Sequence, residues 1–481
     1  MLSIAGYEWG WDNARALIGI VLIYGVCWVL SEKRKLFPFK LVVGATIMQF
    51  VFALILFGIP FVRAILFKAN DVVDGLQNAT RAGTSFVFGY VGDNVAAQQL
   101  MDGSPPPLFF FQILPIVIVV AALSAILWHW RILQWITNGF AYIFQRAMGL
   151  GGATSLAVSA NVFMGMTEAP VLIRPYIKGM TRSELLIMMT AGFATIAGSV
   201  LVVYGSFLEG KMENPLAQLL TASIMAAPAA VAVALCLVPE TTPATERMKE
   251  PDFSYSSTMD AFSTGASDGL KIVLNITTML IAALALLWLV NAALTGLGNL
   301  SQFSPSNAAD FMDLNGLLEP VEFVIEGVAW LILWIVKILL LPFYYLQQWA
   351  GEDGLTIEKI LGWLFAPLMY MIGVPMGEAA QSGSLMGVKT VLTEFVAFLQ
   401  LAEVPVDAMD PRTRMITAHA ICGFANFGSM GILIGGLSIV EPARRDNFLA
   451  LAWRTLLAGT LATCLSGAVV GALPYQLFTG G

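Results

Sequence analysis

The sequence predicts an all-α polytopic membrane protein with about eight transmembrane helices, two re-entrant hairpins, interfacial helices and inverted repeats. Of its 481 residues, 58% are hydrophobic and only 12% are charged, and the mean hydropathy is +0.77. Soluble domains carry about 25% charged and about 45–50% apolar residues. The chain therefore has more apolar surface than a water-soluble core can bury. This excludes soluble enzymes, disordered chains and secreted disulfide scaffolds.

The predicted spans follow from the apolar segments, because a membrane helix needs about 20 predominantly apolar residues. Six segments fit this length or come close to it: 16–30, 40–61, 109–128, 216–238, 272–294 and 448–472. Two more, 185–207 and 415–440, are long enough but are interrupted by glycines and polar residues. Together they give eight spans.

The basic residues predict the orientation of these spans. Lys33, Arg34 and Lys35 lie in the first loop, so that loop is expected to be cytoplasmic. Eight crossings then leave both termini external in the inner (plasma) membrane, and the lipid bilayer is the first predicted partner. The first span lacks a basic region before it, which favours a retained span over a signal peptide. A net charge of -7 without a long basic tract predicts no nucleic-acid partner.

The segments between spans are not plain loops. Residues 62–88 and 256–270 mix apolar with polar side chains, which predicts helices lying in the membrane interface. Residues 240–255 are rich in proline, threonine and charge and predict a flexible linker. The stretch 321–345 is nearly all apolar but contains three charged residues, and we interpret it as an in-plane or re-entrant insert.

A weak internal repeat divides the chain. Thr167-Glu168 is followed by a Gly-Phe-Ala-Thr segment at 192–195, and Thr393-Glu394 is followed by Gly-Phe-Ala-Asn at 423–426; each copy continues into a Gly-Ser step. The first copy follows a predicted cytoplasmic loop and the second an external one. Transporters built from inverted repeats show this arrangement, with the binding site near the bilayer midplane at broken helices.

The repeat gives five predicted parts of the chain. Scaffold spans 1–3 with an interfacial helix occupy 1–145, and the first transport repeat occupies 146–238. A linker, an interfacial helix and span 6 follow at 239–298, the apolar insert at 299–348 and the second transport repeat at 349–481.

Glu168 and Glu394 are the leading candidates for function. An ionisable residue within apolar surroundings costs about 2.5–3.5 kcal/mol on insertion scales, so it marks a functional site by default. The alternative is an interfacial carboxylate that faces headgroups. The segments before both residues are broken by glycine and proline, which predicts re-entrant hairpins that line a cavity. Such broken ends leave carbonyls free for a cation and N–H groups free for a solute.

Further polar residues accompany the breaks. Asn426 and Ser429 are three residues apart and are expected to share a helix face beside Phe424, which suits a polar, partly planar solute. The alternative is helix–helix packing through polar side chains. Asn161 and Thr195 are candidate oxygen ligands for a small hard cation.

These motifs resemble those of the concentrative nucleoside transporters over nearly the whole chain. The family's hairpin motif G-Q-T-E-A-P-L is matched by Gly-Met-Thr-Glu-Ala-Pro-Val at 165–171. Its N-E-F-V-A motif is matched by Thr-Glu-Phe-Val-Ala at 393–397, and C-G-F-A-N-F-S-S by Cys-Gly-Phe-Ala-Asn-Phe-Gly-Ser at 422–429.

The resemblance implies a homotrimer in which each protomer moves a transport part against a scaffold like an elevator. It assigns the nucleobase to the tip of the first hairpin and the ribose to the second repeat. The implied nucleoside-binding residues are Met166, Thr167, Glu168, Glu394, Phe424, Asn426 and Ser429. The implied sodium ligands are Asn161, Met164 (backbone), Thr195 and Ile196 (backbone). No cofactor is expected besides the coupling ion, sodium or a proton.

Three positions depart from the family pattern. Met166 replaces the glutamine that bonds the base, Thr393 replaces an asparagine, and Thr154 stands where a glutamate is common. Because buried polar groups set specificity, the loss of an amide at Met166 should change which base is accepted.

Three other functions compete with sodium-coupled nucleoside uptake. A proton-coupled carrier of the same fold would let Glu168 or Glu394 carry the proton. A homologue with a non-nucleoside solute is compatible with Met166. A membrane-embedded enzyme would need a nucleophile–base pair or a metal cluster. With only two histidines and no clustered carboxylates, the sequence argues against the enzyme.

Overall fold

The structure is a computed structural model that describes residues 2–4, 7–93, 108–242, 245, 255–301, 345–346, 348 and 354–479. Helices make up most of this part of the chain, and a hairpin of two short strands, Leu2–Ile4 and Tyr7–Trp9, precedes the first of them. Most of the predicted linker and nearly all of the predicted insert at 299–348 lie outside the described residues.

The longer helices are numbered here in chain order. In the first half they are α1 (Trp11–Val29), α2 (Phe39–Ala53), α3 (Pro60–Phe88), α4 (Ile116–His129), α5 (Ile132–Met148), α6 (Gly152–Asn161), α7 (Arg182–Ala194), α8 (Gly198–Phe207) and α9 (Pro215–Leu237). In the second half they are α10 (Thr258–Ser301), α11 (Ile357–Met371), α12 (Met376–Val391), α13 (Glu394–Glu403), α14 (Pro411–Ile421), α15 (Phe427–Val440) and α16 (Arg445–Ala472).

Seven helical segments in the described ranges are long and apolar enough to cross a membrane. They are α1, α2 with its extension to Gly58, Phe109–His129, the α7–α8 pair, α9, α10 to Leu297 and Pro442–Ala472. The eighth predicted span, 415–440, consists of the two shorter helices α14 and α15. The all-helical membrane fold predicted from the sequence is confirmed.

The broken and central helices form the core. In the most apolar window of α7–α8, of α9 and of Pro442–Ala472, 94% of the residues are buried, against 17% for α10. The repeat elements therefore pack around one another, while α10 presents its apolar side chains outward. This is the burial pattern expected when lipid covers the outside of the helix bundle.

Contacts between distant segments define the two ends of the molecule. At one end, the amide of Asn13 donates to the carbonyls of Gly471 and Leu473 at 3.0 and 2.9 Å. At the other end, Glu32 in the first loop pairs with Arg182 at 2.9 Å. Asn13 and Gly471 therefore lie at the same end of the bundle, so an even number of crossings separates them, in agreement with eight.

Of the two segments predicted to be interfacial helices, one forms a helix of its own and the other does not. Residues 62–88 lie in α3, a single helix. Residues 258–270 instead begin α10 without a break. Their glycines serve packing: a Cβ added at Gly265 would lie 2.7 Å from the Cβ of Ala125, and one at Gly269 would lie 2.7 Å from the Cα of Ile118. The glycines of this segment therefore allow α10 to pack closely against α4.

The second hairpin region differs in detail from the prediction. Helices α11 and α12 meet at a bend of 119°, close to Gly373, which adopts a positive φ of 110°. Gly383, in contrast, does not interrupt α12. A Cβ added there would lie 2.6 Å from the carbonyl oxygen of Gly362, so this glycine allows α11 and α12 to pack closely. The chain reverses again at Leu392 and Thr393, between α12 and α13.

Carboxylates fasten the start of the linker to the first repeat. Glu184 accepts hydrogen bonds from the hydroxyl of Thr154 and from the backbone N–H of Thr245, at 3.1 and 2.9 Å. Glu240 accepts one from the hydroxyl of Thr181 at 2.5 Å. Partial burial raises the pKa of Glu240, but hydrogen bonds from Thr181 and the following threonines outweigh it and leave the pKa below its usual range. The linker therefore leaves the helix bundle beside the first loop.

Candidate functional site

The helix breaks of the two repeats meet at the centre of the bundle. Helix α7 ends at Ala194 before α8 begins, and α14 ends at Ile421 before α15 begins. A Cβ added at Gly423 would lie 2.7 Å from the carbonyl oxygen of Phe193 and 3.0 Å from that of Ala194. The two Gly-Phe-Ala segments of the repeat are therefore in direct contact, and only glycine permits this approach at position 423.

Glu394 is held at the break of the second repeat by two neutral donors. Tyr204 donates its hydroxyl to Oε1 at 2.9 Å, and the amide of Asn426 donates to Oε2 at 2.7 Å. Glu394 is 6% exposed and Tyr204 is fully buried. Two charge-assisted hydrogen bonds fix the carboxylate, and its remaining lone pairs are available for the hydroxyls of a solute.

Asn426 has a different position from the one predicted. It has extended φ/ψ angles and caps the N-terminus of α15, where its side-chain oxygen accepts from the backbone N–H of Ser429 at 2.7 Å. Asn426 therefore precedes the helix as its cap and meets Ser429 through this bond, not as a second residue within the helix. Instead the cap leaves the amide of Asn426 free to donate to Glu394, so one side chain orders both the helix end and the carboxylate.

The turn at residues 162–168, which follows α6, is the tip of the first hairpin and carries the other candidate residues. Glu168 accepts a hydrogen bond from the backbone N–H of Gly165 at 3.3 Å and is exposed to open space inside the bundle. Met166 is nearly buried, and a Cβ added at Gly192 would lie 2.9 Å from its Cβ. Thr167 contacts α15, because a Cβ at Gly436 would lie 2.9 Å from its methyl group.

A cavity of about 190 Å³, here called the binding cavity, separates the two hairpins. Six of the seven predicted solute-binding residues line it: Met166, Thr167, Glu168, Glu394, Phe424 and Ser429. The seventh, Asn426, reaches it through its hydrogen bond to Glu394. The cavity has a carboxylate on each repeat, hydroxyl groups and an aromatic ring. This combination suits a flat ring that carries hydrogen-bond donors.

The predicted cation ligands lie at the break of the first repeat. Asn161 is 1% exposed, and its side-chain oxygen Oδ1 accepts no hydrogen bond from the residues that the structure describes. The hydroxyl of Thr195 donates to the backbone carbonyl of Asn161 at 2.7 Å, so α6 and the α7 end are in contact. Phe163 bridges the hairpin to the break, accepting from Gly198 N–H at 3.1 Å.

An orphaned buried oxygen beside a hydroxyl and a broken helix end fits a small hard cation. Sodium takes oxygen donors of this kind, and an unmet buried acceptor costs about 1–3 kcal/mol. Asn161 and Thr195 would supply side-chain oxygens, and the backbone carbonyls of Met164 and Ile196 lie in the two segments that meet there. All four of these oxygens are neutral, so a cation bound there would have no carboxylate among its ligands.

Replacing Thr195 by alanine should raise the sodium concentration for half-maximal uptake by about tenfold to a hundredfold, because it removes one of the expected cation ligands and a bond to a charge contributes roughly 1.5–3 kcal/mol. Thr195→Ser keeps the hydroxyl and is the matched control. Uptake measured over a series of sodium concentrations checks this. An alanine variant with an unchanged sodium dependence would remove Thr195 from the cation site.

The sequence analysis missed two residues of this region, and only one of them had a signal in the sequence. Tyr204 lies within an apolar run and contacts a residue 190 positions away. Lys389, on the last turn of α12, is fully buried, and its ammonium group has no hydrogen-bond partner among the described residues. A charged residue within a predicted hairpin was the available signal for Lys389.

The fold and the cavity define a membrane carrier for small polar solutes, and the sequence comparisons specify the family. Residues 218–471 match the family model described as Na+ dependent nucleoside transporter C-terminus, and residues 18–91 match that of the N-terminus. Residues 110–211 match a model described as nucleoside recognition. The chain belongs to the family of Na+-dependent nucleoside transporters, whose members are carriers and not enzymes.

Relatives along the full length support this assignment. The chain is 34% identical to an uncharacterized transporter of Haemophilus influenzae over 465 residues, covering 95% of this chain and 96% of the relative. It is 27% identical to the nucleoside permease NupC of Helicobacter pylori, covering 95% and 96%. It is 31% identical to the rat sodium/nucleoside cotransporter 1 over 422 residues, which cover 84% of this chain but 55% of that longer protein.

Solved structures show the same fold in two states. CNTnw in an inward-facing substrate-bound state matches with a TM-score of 0.78 at 30% identity, covering 97% of this chain and 99% of that chain. A double variant of CNTnw in an outward-facing state matches with a TM-score of 0.79 at 29% identity, covering 98% of both chains. The resemblance read from the motifs is thereby confirmed at the level of family and fold.

Proposed function

We propose that the protein carries nucleosides or nucleoside-like solutes into the cell, coupled to sodium. The observation that carries the proposal is the binding cavity. It has Glu394, fixed by Tyr204 and Asn426, on one side, and the hairpin tip with Glu168 on the other. In the proposed pose the ribose hydroxyls donate to Glu394. Asn426 and Ser429 contribute polar groups on the same side of the cavity. The base lies between Phe424 and the first hairpin.

Sodium is the proposed coupling ion. Its support is the orphaned oxygen of Asn161 beside Thr195, together with the family's Na+ dependence. The cation position lies on the hairpin that also carries Met166 and Glu168. A cation that joins α6 to the α7–α8 break would therefore order the same hairpin that closes over the solute, which couples the two binding events. Proton coupling through a glutamate is the competing proposal.

The proposed movement is an elevator in which the two repeats slide as a unit against the scaffold. Support comes from the crossed helix breaks, which tie the repeats into one core, and from CNTnw, which has been solved in inward- and outward-facing states. We also propose a homotrimer in the inner membrane. The loop that holds Glu32 would be cytoplasmic and both termini external, in keeping with the two ends defined above.

The proposal leaves the base preference to be determined, because Met166 replaces the glutamine that binds the base in the family. Met166→Gln is expected to improve pyrimidine uptake by about tenfold, because an amide can form two hydrogen bonds worth about 0.5–1.5 kcal/mol each. Met166→Leu, of similar volume and without polar atoms, should behave like the native protein. Competition of unlabelled nucleosides with labelled uridine measures the preference. An identical competition profile in all three proteins would mean that position 166 does not face the base.

Counterflow in proteoliposomes tests the solute class independently of the coupling ion. Vesicles loaded with unlabelled uridine should transiently accumulate labelled uridine from outside, and chromatography should recover it unchanged. Labelled product of a different mobility would favour an enzyme. Absence of counterflow for uridine, with counterflow for another polar solute, would move the proposal to a non-nucleoside carrier.

A further inference from the structure

Lys389 is a buried charge outside the binding cavity. It lies on the last turn of α12, its side chain is fully buried, and it is not among the residues that line the binding cavity. Its ammonium group has no hydrogen-bond partner among the described residues. Burying a charge is costly unless another group compensates it, so the position of Lys389 requires a reason beyond packing.

Capping of α12 is not that reason. A lysine near the C-terminus of a helix can donate to the last free carbonyl groups. The Lys389 ammonium donates to none of them in the part of the chain that the structure describes. The chain after α12 is ordered instead by Thr393, whose hydroxyl caps α13 by accepting from the N–H of Val396 at 3.3 Å.

The surroundings of Lys389 contain one opposite charge. Three described side chains with titratable groups interact electrostatically with its ammonium: Glu394 at the start of α13, Cys422 directly after α14 and Cys464 in α16. Both thiols are fully buried and neutral, which leaves Glu394 as the counter-charge. The attraction acts through space, because the ammonium makes no hydrogen bond with the carboxylate. In an apolar interior such an attraction is stronger than in water.

Glu394 depends on a positive charge as much as Lys389 depends on a negative one. Its direct partners, the hydroxyl of Tyr204 and the amide of Asn426, are both neutral. Neutral donors orient a carboxylate, whereas an opposite charge also offsets the cost of burying it. Among the described residues, Lys389 is the basic side chain that interacts electrostatically with Glu394.

The packing of α12 fixes the position of Lys389. Gly387 lies two residues before it, and a Cβ added at Gly387 would overlap the side chain of Leu361 in α11. The end of α12 therefore cannot turn or slide against α11 without a clash. The ammonium is held at one place relative to the turn that carries Glu394.

The two repeats are complementary at this position. Helices α6 and α12 each lead into a Thr-Glu turn and end beside a broken helix. At the end of α6, the side-chain oxygen of Asn161 is buried without a donor. At the end of α12, the ammonium of Lys389 is buried without an acceptor. The first repeat thus offers ligands to a cation, and the second repeat carries a cation of its own.

We propose that Lys389 is a positioning residue for the solute, and that its ammonium is the fixed counter-charge which keeps Glu394 a carboxylate. Lys389 does not contact the solute and acts through Glu394, which accepts from the solute hydroxyls. The second repeat carries covalently the kind of charge that the first repeat takes from solution. This proposal rests on the proposed nucleoside transport.

A double-mutant cycle between Lys389 and Glu394 tests the proposal. Melting temperatures of the detergent-solubilised protein over a series of uridine concentrations give its dissociation constant for uridine. Lys389→Met, which keeps the length of the side chain without its charge, should raise this constant about tenfold, the difference between a hydrogen bond to a charged and to a neutral acceptor. In the Glu394→Gln background the same substitution should leave it unchanged. Lys40→Met, at the exposed start of α2, is the matched control and should bind as the native protein does.

Stability without uridine supplies a second readout that does not involve the solute. Removing one member of a buried charge pair leaves the other uncompensated, whereas removing both leaves no buried charge. The double variant Lys389→Met/Glu394→Gln should therefore melt at a higher temperature than either single variant. Where Lys389→Met does not fold, a double variant that elutes as a single species on size exclusion gives the same result.

The opposite outcomes contradict the proposal. An equal rise of the dissociation constant in both backgrounds would show that Lys389 acts independently of Glu394, as a purely structural residue would. An unchanged constant for Lys389→Met in the native background would remove Lys389 from solute binding. A double variant less stable than both single variants would contradict the charge pair. If uridine does not shift the melting temperature of the native protein, the proposed function fails, and the stabilities alone then decide on the charge pair.

Discussion

Replacing Glu394 by glutamine is expected to lower uridine uptake by about a hundredfold. The carboxylate accepts from Tyr204 at 2.9 Å and from Asn426 at 2.7 Å, and in the proposed pose it also accepts from the solute. Hydrogen bonds to a charged group contribute roughly 1.5–3 kcal/mol, against about 0.5–1.5 kcal/mol for neutral pairs. Losing the charge from two solute bonds therefore costs about 2–3 kcal/mol, which corresponds to about a hundredfold.

The fold should survive this substitution. A glutamine side chain can still accept from Asn426 with its oxygen, and its amide can donate to the hydroxyl of Tyr204. Initial uptake rates in proteoliposomes measure the effect, and elution as a single species on size exclusion checks folding. Glu403→Gln, at the exposed end of the same helix α13, is the matched control and should transport normally. Full uptake by Glu394→Gln would remove the ribose assignment.

Replacing Asn161 by leucine should abolish the stimulation of uptake by sodium. The side-chain oxygen of Asn161 is buried without a donor, and leucine fills nearly the same volume without offering an oxygen. One ligand bond to a charged group contributes roughly 1.5–3 kcal/mol, so its loss lowers the affinity for the cation by about tenfold to a hundredfold. Uptake with and without a sodium gradient checks the prediction.

Asn161→Asp provides the matched comparison, because it keeps an oxygen at the same position. It should retain sodium stimulation where Asn161→Leu loses it. Equal sodium stimulation in the leucine variant and the native protein would place the coupling ion elsewhere. Equal loss in both variants would indicate that sodium stimulation depends on the hydrogen bond that the Asn161 amide donates to the carbonyl of Ala157 at 3.0 Å.

Much of the fold could be predicted from the sequence, because lipid imposes strong constraints on it. Apolar length determines the spans, and the requirement to satisfy backbone groups makes them helical. Glu168 and Glu394 could be found for the same reason, since a carboxylate in an apolar segment is costly without a function. The segment 256–270 was predicted to be a separate interfacial helix because it mixes apolar with polar side chains, whereas residues 258–270 are the first turns of α10. Its glycines had no assigned role in that prediction. Gly265 and Gly269 are packing positions against α4, which only the neighbouring helix reveals.

The details of the site depended on contacts between distant segments. Tyr204 lies in an apolar run, and nothing nearby in sequence indicates that its hydroxyl meets Glu394. Asn426 was assigned to a helix face by its spacing from Ser429. The structure makes it an N-cap, a position that the same spacing also permits. Local patterns therefore located the breaks, and tertiary contacts determined what the polar side chains at those breaks do.

The most direct measurement is uptake of labelled uridine by the purified protein in proteoliposomes, with an inward sodium gradient compared with an inward proton gradient at equal membrane potential. We expect accumulation above the external concentration with sodium and only equilibration with protons. Accumulation driven by protons alone would contradict the assignment of Asn161 and Thr195 to the coupling ion and transfer coupling to a glutamate. No uridine movement under either gradient would contradict the proposed solute.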